Sequence, residues 1–198
     1  VDLFVIETFS DLEELRLAIH AIREVSDLPI IAQFRLINEK ESALGYAFED
    51  FVAALNEEPI DVVGLNCGLG SAAALDMVER LRAMTDKPIS VQPNAGLPQT
   101  VDDRSIYLSS PEYMAVYAGR MIQKGVNIVG GCCGTTPAHI RHIRAQARAF
   151  DPGSNIEEKL LDEIEPGEVT RPEPADTPSQ MAAKLRAGKY VISVEIDP

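Results

Sequence analysis

The sequence predicts an α/β protein built on a parallel sheet, and three observations carry that prediction. Five short runs rich in β-branched or apolar residues recur along the first three quarters of the chain, at 1–6, 30–34, 61–65, 88–91 and 126–129. A helical pattern follows each run. Successive runs begin about 27 to 38 residues apart, the length of a strand plus a crossover helix and its turns.

The first run, Val1 to Ile6, is almost continuously apolar, which suits a strand buried on both faces, as parallel sheets require. Ser10 with Glu13 after it predicts a capping box at the start of the first helix, in which each side chain satisfies an orphan backbone N–H. Leu12, Leu15, Ile19 and Ile22 then mark the buried stripe of that helix. Further along, Ser110-Pro111 and Thr136-Pro137 predict helix starts, because proline at the first helical position gives up an N–H that has no partner there. Buried parallel strands suit either a closed barrel or a doubly wound open sheet, and periodicity does not choose between them.

After Phe150 the composition changes to Asp151-Pro152-Gly153 and then to a stretch dense in Glu, Asp and Pro. Residues 1–150 are therefore expected to form the folded domain, 151–188 an acidic, proline-rich linker, and 189–198 the beginning of a second domain. Within the linker Leu160, Leu161 and Ile164 suit one small docking turn, and Ser179 to Lys189 a short helix; Tyr190 to Ile196 reads as a strand.

The 198 residues are 45% hydrophobic and 25% charged, enough apolar material for one sizeable core. A net charge of −13 argues against broad attraction to nucleic acid or an anionic membrane, which needs clustered Lys and Arg. No apolar run approaches the roughly 20 residues that span a bilayer, and no signal-like segment opens the chain, so a cytoplasmic protein is expected. A start at Val1 inside a strand, without Met, and a stop at Pro198 directly after another strand-like run suggest a fragment.

Three cysteines are an odd number and too few for a disulfide framework. Their positions are more informative. Cys67 ends the third run in Gly64-Leu65-Asn66-Cys67-Gly68, and Cys132 and Cys133 end the fifth in Gly130-Gly131-Cys132-Cys133-Gly134. In a parallel α/β fold the C-terminal strand ends are where loops assemble sites, so thiols from two strands can converge there. Three thiolates favour Zn²⁺ and leave the fourth tetrahedral position for water or substrate, the pattern of catalytic rather than structural zinc. Two other readings stand beside this one. Buried cysteines also serve as small hydrophobes, and a vicinal pair invites redox chemistry, although neighbouring side chains point apart in an extended strand. His139 and His142 lie in the helix after Pro137, leading away from the cysteines, and are expected on its surface. No strand is followed by a G-x-G-x-x-G fingerprint, and Gly64 to Gly70 has the wrong spacing for a P-loop.

Gly64-Leu65-Asn66-Cys67, Gln92-Pro93-Asn94-Ala95-Gly96-Leu97-Pro98 and Gly130-Gly131-Cys132-Cys133-Gly134-Thr135-Thr136-Pro137 occur in this order. Together they resemble the homocysteine-binding domain of homocysteine S-methyltransferases, over about residues 1–150. The resemblance implies a (β/α)8 TIM barrel of which this chain holds the C-terminal portion, about strands four to eight. It implies Cys67, Cys132 and Cys133 as zinc ligands, and Glu7 as the carboxylate that holds the amino group of homocysteine. Asn94 matches an asparagine beside the metal that hydrogen-bonds substrate or fills the open position. The implied reaction is methyl transfer from a small-molecule donor to a zinc-activated homocysteine thiolate, giving methionine. A partial barrel exposes strand edges, through which a homo-oligomer is expected to form. The alternatives are a noncatalytic barrel remnant that binds homocysteine or metal, and an α/β domain with structural cysteines.

Val91-Gln92-Pro93 and the helix start Ser109-Ser110-Pro111-Glu112-Tyr113 resemble the bifunctional members that join this domain to a methylenetetrahydrofolate reductase. Residues 190–198 are similar to the first strand of such reductases, whose strand-end acid would fall on Glu195.

Overall fold

The computed structural model describes residues 1–101 and 104–149. The expected linker at 151–188, with its docking turn and short helix, and the strand-like run at 189–198 with Glu195 lie outside the described residues.

Strands β1 (Phe4–Phe9), β2 (Ile30–Phe34), β3 (Val62–Gly70) and β4 (Ile89–Asn94) alternate with helices α1 (Leu12–Arg23), α2 (Phe48–Glu57) and α3 (Ser71–Met84). A short antiparallel hairpin, β5 (Gln99–Val101) and β6 (Arg104–Ile106), follows β4 and was not expected from the sequence. Helix α4 (Pro111–Gln123), strand β7 (Ile128–Val129) and helix α5 (Pro137–Ala149) complete the described order. All five strands of the main sheet run parallel in the order β1-β2-β3-β4-β7.

That order decides between the two sheets the sequence left open. Right-handed crossovers between successive neighbours place every helix on the same face, whereas a doubly wound sheet reverses its order to cover both. Here one face of the sheet, carrying Ala32, Phe34, Val63, Leu65, Ile89 and Val91, shares a single apolar cluster with Leu15 and Ile19 of α1, Phe51 and Leu55 of α2, Met77 and Leu81 of α3 and Met121 of α4. Phe34 and Phe51 stack with centroids 4.7 Å apart at its centre. On the opposite face Gln33, Gly64 and Ser90 lie abreast on β2, β3 and β4. Gln33 Nε2 donates to Ser90 Oγ at 2.7 Å. A sheet with an apolar outer face and a polar inner one is the wall of a barrel, not a layer between helices.

Two of the expected boundaries shift. Helix α1 is capped by Asp11 and not by a Ser10–Glu13 box: its carboxylate accepts from the N–H groups of Glu13 and Glu14 at 2.8 and 3.2 Å. One carboxylate serves two orphan donors at the positive end of the helix. The last strand contracts to Ile128–Val129, because Asn127 is used as a side-chain clip, its Oδ1 accepting from Ile89 N–H at 3.0 Å. The starts at Ser110-Pro111 and Pro137 are as expected; Ser110 Oγ accepts from Tyr113 N–H at 3.2 Å. Among the described residues no helix is long and apolar enough to cross a membrane.

The end of the sheet remote from the cysteines is held by charge. Glu58, directly after α2, has a side chain only 4% exposed and accepts from Arg16 Nε at 2.7 Å and His20 Nε2 at 2.6 Å. Burial alone would raise this carboxyl, but the hydrogen bonds from His20 and Arg16 outweigh it and hold the group below its usual range. A carboxyl depressed on folding stabilises the protein above its unfolded value, and that contribution is lost as pH falls through the folded value. Glu58→Gln should therefore lower unfolding free energy by about 2 kcal/mol near neutrality. Urea midpoints for the two proteins should converge as pH falls through the acidic carboxylate range.

Candidate metal centre

The cysteines are positioned by irregularities at the C-terminal edge of the sheet. β3 pairs with β4 as far as Asn66 opposite Gln92, and pairing resumes only at Gly70 opposite Asn94. Between these points the chain bulges, with Cys67 at φ +55° and Gly68 at φ +68°. Cys67 therefore does not end β3, as the sequence suggested; it sits in a bulge inside a longer strand, which re-aims its side chain along the rim. Gly68 admits no side chain, because a Cβ there would lie 1.8 Å from the Leu36 carbonyl oxygen.

Cys132 and Cys133 follow β7 in a loop strapped to the end of β4. Cys132 N–H donates to Pro93 O at 2.9 Å, Ala95 N–H donates to Cys133 O at 2.9 Å, and Cys133 N–H donates to Asn94 Oδ1 at 3.1 Å. Asn94 is 4% exposed, so its amide is a buried fastener for the cysteine loop. Gly134, at φ +77°, lies flush against Tyr107, whose Cβ and Cγ would be 2.3 Å from any added Cβ.

The three Sγ atoms lie within 4.8 Å of one another, and Cys67 Sγ is 3.8 Å from Cys133 Sγ. Tetrahedral zinc with Zn–S bonds of about 2.3 Å spaces neighbouring sulfurs about 3.8 Å apart, so the donor set fits the ion in both chemistry and spacing. The cysteines are free thiols, Cys67 and Cys132 half-buried and Cys133 exposed. The neighbouring Cys132 thiol holds the Cys67 thiol down to about 5, with further help from the Gly68 N–H, Cys133 and the charge of Arg35. The same contact, with burial, pushes Cys132 up. Of the two, Cys67 is the one that favours the thiolate.

Asn66 organises the surroundings, and the sequence reading gave it no role. Fully buried on β3, it accepts Thr8 N–H on Oδ1 at 2.8 Å and donates from Nδ2 to Thr8 Oγ1 at 2.7 Å. It also reaches Glu7 Oε2 at 3.5 Å and Cys132 Sγ at 3.8 Å. Thr8 is a β-branched residue at φ +67°, a conformation that needs such support. Glu7 is therefore placed beside the cysteines through Asn66. Tyr107 is a second residue the sequence did not single out: burial, and then its hydrogen bond to Cys133, push its phenol up and keep it a donor.

His139 departs from expectation. It is 7% exposed, its Nδ1 accepts from Thr136 N–H at 3.1 Å and from the Thr136 hydroxyl at 2.8 Å, and Nε2 is left to donate to Ser109 O at 2.9 Å. A short chain of hydrogen bonds thus uses both ring nitrogens to tie α5 to the loop before α4, so the ring is buried structure and not helix surface. His142 is exposed, as expected.

Residues 1–147 match a family described as homocysteine S-methyltransferase. The chain belongs to that family. It is 33% identical over 150 residues to a methionine synthase of Mycobacterium tuberculosis, covering 73% of this chain and 13% of that protein. A methionine synthase of Mycobacterium leprae is 31% identical over 159 residues, covering 77% and 13%. The chain thus spans about an eighth of the length of these relatives. The apo form of the homocysteine methyltransferase MmuM from Escherichia coli superposes with a TM-score of 0.60 at 24% identity, over 74% of this chain and 50% of that one. Its metallated form gives the same TM-score over 45% of its length. This likeness shows the fold: the five parallel strands form part of such a barrel.

Asn66→Ala should weaken zinc binding about 10- to 100-fold, as loss of groups that orient metal ligands does, with an unchanged far-ultraviolet dichroism spectrum. Competition with a chromogenic chelator reads the affinity, and an unchanged value would remove Asn66 from the support of the centre.

Proposed function

We propose that this chain holds Zn²⁺ on Cys67, Cys132 and Cys133 and uses it to activate homocysteine for methylation to methionine. The observation that carries the reading is the convergence of three thiols from β3 and the loop after β7 at zinc-compatible spacing. Family membership supports the substrate. When bound, the ion supplies Lewis acidity, so that a thiol of ordinary pKa near 8.5 is a thiolate at neutral pH.

The remaining work falls to the chain. The carboxylate of Glu7, steadied by Asn66, accepts the α-ammonium of the substrate and points its thiol toward the cysteines. Asn94 holds the backbone N–H of Cys133, and the Tyr107 phenol donates to the Cys133 sulfur. In the transfer itself the homocysteine sulfur forms a bond to the methyl carbon as the bond from that carbon to the donor breaks, its electrons leaving with the donor. The donor is a small molecule with an activated methyl group, of the corrinoid, folate or sulfonium class. The reading extends to residues 189–198 as the start of a reductase-like domain, on their resemblance alone.

Cys67→Ala, Cys132→Ala and Cys133→Ala should each abolish tight zinc binding in the full-length protein while leaving secondary structure in place. Metal analysis and circular dichroism on the same samples test this, and one zinc per chain in all three variants would defeat the ligand set. X-ray absorption at the zinc edge should show three sulfurs, and a fourth on adding homocysteine. Retained zinc with no methyl transfer from any of the three donor classes would favour a binding module instead. Glu7→Gln should raise the homocysteine KM about tenfold, the loss of one charge-assisted hydrogen bond, and spare the metal.

A further inference from the structure

Arg35 is a charged rim residue whose guanidinium has no ion-pair partner in the site described above. It follows Phe34 at the end of β2, where its N–H donates to Phe9 O at 2.8 Å. By strand alternation it belongs to the inner face, with Gln33, and not to the apolar face of Phe34. A Cβ on Gly68 would lie 3.3 Å from Arg35 Cγ, so the stem of the side chain runs past Gly68, next to Cys67. Its charge reaches Cys67, where it favours the thiolate.

The guanidinium is shielded but unsatisfied. Arg35 is half-buried, and its Nε has no hydrogen-bond partner. Arg16, Arg23 and Arg80 each hold a carboxylate, whereas Arg35 takes part in none of the ion pairs among the described residues. A shielded N–H without an acceptor is costly, and a planar fork of donors matches a carboxylate better than any other small anion but phosphate. On the neighbouring strand β1 stands the opposite charge, Glu7, placed beside the cysteines by Asn66. A cationic fork and a carboxylate on adjacent strands, flanking a cluster of thiols, match the two charges of a zwitterionic amino acid whose side chain ends in sulfur.

We propose that Arg35 binds the α-carboxylate of the amino-acid thiol while Glu7 takes its α-ammonium, so that the pair selects amino-acid thiols over simple ones. This inference rests on the thiol-activation reading. Arg35 is then a specificity-determining residue, and its effect falls on one end of the substrate only.

The test compares homocysteine with 3-mercaptopropylamine, which keeps the thiol and the amine and lacks the carboxylate. Binding of each to the zinc-loaded full-length protein is measured by calorimetry, for wild type, Arg35→Gln and Arg35→Lys. Wild type should prefer homocysteine by about 30-fold, the worth of a charge-assisted carboxylate contact. Arg35→Gln should lose that preference by weakening homocysteine alone, Arg35→Lys should restore part of it, and zinc content should not change. Equal weakening of both ligands would overturn the assignment and leave Arg35 a general charge near Cys67; an undiminished preference in both variants would overturn it as well. Should wild type bind neither thiol, the thiol-activation reading falls and takes the assignment with it.

Discussion

The rim of this sheet depends on one amide. Asn66 is a polar side chain buried where β3 leaves the apolar core, and its donors and acceptor are spent on β1 and on the cysteine loop. A buried amide satisfied in this way has few alternative arrangements, since each lost bond leaves an unpaired polar atom shielded from water. Thr8 keeps its left-handed backbone, and Glu7 its position, because Asn66 on β3, two strands away in the sheet, supplies the missing partners. The bulge that follows at Cys67 and Gly68 then has a rigid start.

Below the rim the protein is ordinary, and that is its contribution. Phenylalanines, leucines and β-branched residues fill the space between the sheet and its helices, and Glu58 with Arg16 and His20 closes the far end. Apolar packing lies on the outer face, and the Glu58 ion pairs at the N-terminal strand ends. The C-terminal ends are thereby free to carry strained backbone, shielded donors and thiols without endangering the fold. This division of labour between the two ends is the usual one in parallel barrels.

Much of this was legible in the sequence. Apolar runs at crossover spacing identified the strands, and the cysteines at the ends of the third and fifth runs marked where a site could assemble. What escaped was of two kinds. Asn66 and Arg35 each occupy a single position beside an apolar run, and nothing local separates a buried amide or a shielded guanidinium from an exposed one; their meaning comes from neighbours on β1 and the β7 loop. Ser10 and Asp11 are both good caps, and only the backbone decides which faces the helix. The hairpin β5–β6 has strands too short to show a period, and His139 looks like any helix residue until Ser109 is found beneath it.

The separation of the thiols along the chain has a consequence for how the protein is held together. Cys67 and Cys133 are 66 positions apart, yet their sulfurs are in contact. An ion shared between them is a clasp on a long loop, and the entropy removed from the unfolded chain by such a closure grows with the logarithm of its length. Ligation favours deprotonated sulfur and the folded chain together, so acidity and chelators act on the same equilibrium as heat. An ion held there, as proposed, would brace a fold that the apolar core already sustains.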